Sequence, residues 1–170
     1  DRNNTIAIGV PQTGITSAIG YANELNIRYI QAITKNKDIG RTFILPTDIE
    51  RKVICEKKFK FDKHSIKDKK VILLDDTIVR GNVIRTIIKN LYECGVNEIH
   101  VRIPAPPIIN KCSLGIDIPS QKELLAHNRN FDEIAQFLNV RSINYLSPSD
   151  LDKIFCFPTY KECFLTKGWF

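Results

Sequence analysis

At 170 residues the chain has the size of one domain, and 43% hydrophobic residues, with nine Phe and one Trp, suffice for a core, so a second independent domain is not expected. Apolar runs such as 71–74 fall far short of the roughly 20 residues that cross a bilayer, which argues against a membrane span and for a soluble protein. The formal charge of +6 suits an anionic partner without separating a nucleotide or diphosphate from nucleic acid.

The first predicted element is a short strand, Ile6, Ile8 and Val10, which stops at Pro11 and the turn-forming residues Gln12, Thr13 and Gly14. Ala18, Tyr21, Ala22 and Leu25 recur at near-helical spacing, and 27–33 then reads as a second strand rich in β-branched and aromatic residues. The polar stretch 35–41 is expected to be a loop, since it carries Asn, Asp and Gly with almost no apolar side chain. From Pro46 to Lys70 the pattern is weak, and the lysine-rich run 57–70 is expected to be a solvated connector.

The strongest pattern is central. Val71 to Leu74 forms a continuous apolar strand from Lys70, and Ile84, Ile87, Ile88, Leu91 and Tyr92 line one face of a helix that ends at Gly95. A strand over 98–103 follows, completing a βαβ unit. The fold class expected is therefore α/β, a doubly wound, mostly parallel sheet with helices on both faces. A helix over 131–138, a strand over 143–146 and a helix capped by Ser147 or Ser149 close the chain, with 151–170 as a tail.

Ligands of open parallel sheets bind beyond the carboxyl ends of the strands. Asp75 and Asp76 lie at such an end, and Gly81 and Asn82 lead into a helix whose free N–H groups suit a phosphate. The loop can thus offer carboxylates to Mg²⁺ and ribose hydroxyls, and amides to a phosphate monoester. The bland alternative is that paired acids and a Gly merely close a surface turn.

Residues 71–82, VILLDDTIVRGN, resemble the diphosphate-sugar signature of type I phosphoribosyltransferases, and Ile78-Val79-Arg80-Gly81 is similar to the amidophosphoribosyltransferase branch of that family. The likeness continues, in order, through 10–14 (the diphosphate loop), 36–43 (the flexible catalytic loop), 105–120, 123–126 and 131–146. The resemblance implies that Thr13, Asp75 and Asp76 lie at Mg²⁺ and the ribose diphosphate. It implies that Pro11, Gln12, Thr13 and Gly14 receive the diphosphate, and that Thr77, Ile78, Val79, Arg80, Gly81 and Asn82 hold the 5-phosphate. Asp75, Asp76, Arg41 and Lys35 would be catalytic, the last two from a loop closing over the leaving group. The implied partners are phosphoribosyl diphosphate and ammonia, free or from a glutaminase domain, and a homo-oligomer is expected. No residues here correspond to that glutaminase domain.

The sequence departs from the family at Gln12 (usually acidic), Asp38 (usually aromatic) and Val83 (usually a hydroxyl residue). Some members hold an iron–sulfur cluster on four cysteines; Cys112 and Cys163 match two ligands, Tyr160 replaces a third, and no cluster is expected. The five cysteines (Cys55, Cys94, Cys112, Cys156, Cys163) form no disulfide framework. With no charged-then-apolar leader, they point to a reducing cytoplasm. The sequence has no Met, which leaves room for an upstream segment. His64, His100 and His127 have no ligand spacing and are expected to be structural or exposed. Two rival functions are a non-enzymatic regulator that senses the ribose diphosphate and a salvage phosphoribosyltransferase. No helix-turn-helix pattern favours nucleic acid as a partner.

Overall fold

The structure is a computed structural model, and it describes residues 2–36, 58–110 and 120–154. In chain order the elements are β1 (Thr5–Gly9), α1 (Ile15–Leu25), β2 (Arg28–Tyr29), β3 (Ile33–Lys35), β4 (Phe59–Phe61), α2 (Lys63–Ile66), β5 (Lys70–Leu74), α3 (Asn82–Glu93), β6 (Glu98–Ile103), α4 (Phe131–Leu138), β7 (Ser142–Tyr145) and α5 (Pro148–Ile154). Five strands make one parallel sheet in the order β2-β1-β5-β6-β7, and β3 and β4 pair antiparallel as a separate ribbon.

Helices cover both faces, as the apolar pattern requires. On one face Ile6, Ile8, Val71, Leu73, Ile99 and Val101 meet Ile84, Ile87, Ile88 and Leu91 of α3 and Ile134 and Leu138 of α4. Truncating a fully buried side chain such as Leu73 to Ala costs about 2–5 kcal/mol. On the other face Ala18 and Ala22 set α1 down on Ala7, Ile72 and Leu74, where small side chains allow close approach. A capping box between Asn130 and Glu133 starts α4. Ser147 Oγ accepts from the Asp150 N–H at 3.1 Å and caps α5.

The sheet order fixes where a ligand can enter. From β1 the chain moves to one side to lay down β2, then crosses to the other side for β5. The crevice between the carboxyl ends of β1 and β5 is a topological switch point.

Three expectations need correction. The strand expected over 27–33 is two short strands in different sheets. Ile30 N–H donates to Ala7 C=O at 3.0 Å beside the main sheet, whereas Ile33 pairs with Phe61 in the ribbon. Lys35, expected in a loop, ends β3 opposite Phe59. The expected connector contains β4 and α2, held because Phe59 and Ile66 are buried while the lysines around them face outward. His64 consequently lies exposed on α2. Arg41, Asp38, Cys55, Cys112, Cys156, Cys163 and the tail beyond 154 lie outside the described residues.

Candidate functional site

β1 and β5 end side by side, with Gly9 opposite Leu74, so segments 10–14 and 75–81 leave the sheet as neighbours. Val10 N–H donates to Leu74 C=O at 2.8 Å and extends the pairing by one residue. The first loop then closes through Gly14 N–H to Val10 C=O at 2.9 Å, and its Pro11–Gln12 peptide is cis. Gly14 is required by space: a Cβ there would strike the Leu74 carbonyl and come within 2.8 Å of Val10 N.

The two loops meet at Asp75. Thr13 Oγ1 donates to Asp75 Oδ1 at 3.1 Å, and the Asp76 N–H donates to the same oxygen at 3.0 Å. Asp75 is 8% exposed, the one buried charged side chain among the described residues, whereas Asp76 faces solvent. Burial pushes the Asp75 carboxyl up to about 7; the Asp76 N–H pulls it back, the Asp76 carboxyl raises it and the Thr13 hydroxyl lowers it. A cation placed beside this carboxyl would displace its proton by stabilising the carboxylate. The Thr13 hydroxyl and two adjacent carboxylates are a hard-oxygen set that suits Mg²⁺ arriving with phosphate ligands of its own.

Beyond Asp76 the side chains turn away from the crevice. Ile78 is buried in the core, Val79 packs on Ile108 and Leu124, and Arg80 Nε lies 2.8 Å from Glu123 Oε2. Any contact of residues 78 and 79 with a ligand therefore runs through their backbone. The N–H groups of residues 77–81 carry no hydrogen bond to another described residue. Gly81, at φ 83°, turns the chain into α3, where a side chain would be strained. Amides without a described acceptor that lead into a helix N-terminus can receive an anion. Val83 stands on the first turn of α3, 39% exposed.

The structure thus brings loop 10–14 against Asp75 and Asp76, with residues 77–81 carrying the second loop on to α3. Lys35 stands at the end of β3 in the ribbon, with its side chain exposed. Glu123 and Leu125, which grip the second loop, carry no local sequence signal of that role. Among the described residues no group of three or more His, Cys, Asp or Glu could hold a metal. His100 Nε2 lies 3.0 Å from Glu98 Oε1 and its Nδ1 2.8 Å from Ser142 Oγ, whereas His127 Nδ1 lies 3.0 Å from Ile109 C=O. No described helix is long and apolar enough to cross a membrane.

No family model matches the chain. It is 41% identical to the amidophosphoribosyltransferase of Rattus norvegicus over 84% of its length, and 41% identical to that of Methanocaldococcus jannaschii over 85%. It spans only 28% and 31% of those two proteins. The solved structure of glutamine phosphoribosylpyrophosphate amidotransferase from B. subtilis, complexed with ADP and GMP, superposes with a TM-score of 0.74 at 37% identity, covering 88% of this chain and 33% of that one. The chain is a homologue of part of the amidophosphoribosyltransferases and has the type I phosphoribosyltransferase fold, as residues 71–82 implied.

Proposed function

We propose that this chain is the phosphoribosyltransferase portion of an amidophosphoribosyltransferase, forming 5-phosphoribosylamine and diphosphate from phosphoribosyl diphosphate and ammonia. The observation that carries this reading is the Thr13–Asp75–Asp76 cluster at the switch point, beside the free amides of residues 77–81. Each feature answers one part of the substrate. The amides take the 5-phosphate, the carboxylates take the ribose hydroxyls, and loop 10–14 takes the diphosphate.

At the anomeric carbon the bond to the diphosphate oxygen breaks and a bond to nitrogen forms, after which the nitrogen loses its extra proton. Positive charge develops on the ribose, and the buried carboxylate of Asp75 and the neighbouring Asp76 favour it. Mg²⁺, when bound at Thr13, Asp75 and Asp76, would neutralise charge on the diphosphate. Arg41 and Lys35 would add cationic side chains over the leaving group, as the family likeness of 36–43 implies. The ammonia would arrive free or from a glutaminase domain; the relatives are more than three times the length matched here.

Diphosphate release in the presence of Mg²⁺ tests the reading, with ammonium, glutamine and free purine bases supplied in turn. Ammonium should support release. Release with a purine base alone would favour a salvage enzyme, and tight binding without release would favour a sensor.

A further inference from the structure

The segment 120–126 grips three consecutive residues of the phosphate loop. Leu125 N–H donates to Val79 C=O at 2.8 Å, and Glu123 Oε2 takes Arg80 Nε at 2.8 Å. A Leu125 methyl lies 3.2 Å from where a Gly81 Cβ would stand. The strap is itself fixed. Gln121 Nε2 donates to Asn110 Oδ1 at 2.9 Å, and Ser120 Oγ accepts from Lys122 N–H at 3.3 Å.

Amides that meet no acceptor in the protein are free to turn toward solvent separately, so a loop that offers them together to one ligand needs contacts that fix its backbone. Ile78, in the core, anchors one end of the loop and α3 the other. Between them, among the described residues, the Arg80 side chain is held from the strap, by a carboxylate that is part of no catalytic group. We infer that Glu123 is a positioning residue for the phosphate loop, fixing Arg80 so that the backbone around it stays ordered for a phosphate monoester. This rests on the proposed binding of phosphoribosyl diphosphate. The two side chains are 42% and 40% exposed, and a pair so open adds little to global stability, so its effect is local order.

Calorimetry with Mg²⁺ and phosphoribosyl diphosphate tests this on the 170-residue chain as wild type, Glu123→Ala, Glu123→Gln, Arg80→Ala and the double variant Arg80→Ala with Glu123→Ala. Glu123→Ala should weaken binding about fivefold, while Glu123→Gln, which keeps an acceptor for Arg80 Nε, stays within about twofold of wild type. In the Arg80→Ala background, Glu123→Ala should add nothing. Without ligand, amide exchange at residues 79–82 should quicken in Glu123→Ala while β5 is unchanged. Binding of Glu123→Ala equal to wild type overturns the inference, as does a loss carried in full into the Arg80→Ala background. A wild type that binds no ligand, with exchange still responding to Glu123→Ala, overturns the functional reading and leaves the loop-ordering contact standing.

Discussion

Replacing Asp75 with Asn should stabilise the chain, and by an amount that depends on pH. Burial raises the Asp75 carboxyl from 3.8 to about 7, so the folded state binds its proton more tightly than the unfolded state does. The protonated side chain therefore favours folding fully below about pH 4, and that contribution is lost as pH rises through about 7. A displacement of that size corresponds to about 4 kcal/mol once the group is ionised, at about 1.4 kcal/mol per pKa unit. This is a ceiling, since Asn accepts less strongly than a carboxylate from Thr13 Oγ1 and the Asp76 N–H. Urea denaturation of both proteins at pH 4.5, 6 and 8 reads the difference. The variant should match wild type within about 1 kcal/mol at pH 4.5 and exceed it by about 2–4 kcal/mol at pH 8. It should also lose the rise in melting temperature expected of wild type with Mg²⁺ and phosphoribosyl diphosphate. A difference independent of pH, or a variant less stable at pH 8, would refute the assignment of an ionisation cost to this carboxyl.

Val83→Thr should tighten binding of phosphoribosyl diphosphate by up to about tenfold, because a hydroxyl on the first turn of α3 adds one charge-assisted hydrogen bond to the 5-phosphate. Val83 is 39% exposed, so the hydroxyl incurs little desolvation cost, and calorimetry showing equal or weaker binding would mean that the phosphate does not approach this turn. Arg41→Ala should lower kcat of ammonia-dependent diphosphate release far more than it raises KM, since leaving-group charge grows in the transition state, and unchanged turnover would remove Arg41 from the catalytic set.

The main sheet was legible wherever a local pattern decided the structure. Residues 70–74 are continuously apolar after Lys70 and form the central strand β5, and 98–103 alternate because α3 and α4 cover one face of β6 while Glu98, His100 and Arg102 point to the other. The break between β2 and β3 was not legible, because no Gly or Pro marks it. It arises where Ile30 finishes its pairing with Ala7 and Ile33 takes Phe61 as partner. The lysine-rich run concealed β4 and α2 for a related reason. Among its described residues Phe59 and Ile66 alone are buried, too few to make a period, and their partners lie elsewhere in the chain. At the site, the acids and the glycine could be read from sequence, but which side chains face the crevice could not. Arg80 turns to Glu123 and Val79 to Leu124 and Ile108, and these contacts exist only once the strap has docked.

These same contacts explain why so marginal a set of residues keeps its arrangement. A buried carboxyl pushed up to about 7, a glycine wedged against a carbonyl, a positive φ and a row of amides without acceptors all sit at the carboxyl ends of β1 and β5. The buried carboxyl and the unpaired amides are costly in the free chain, and the proposed cation and phosphates would relieve both, whereas Gly14 and Gly81 stand where only glycine fits without strain. The opposing stability comes from the layers around β1, β5 and β6, whose Ile, Val and Leu side chains bury independently of any ligand. Substitutions in those layers therefore act on folding, whereas Asp75→Asn should exchange ligand binding for stability, which separates the two most directly.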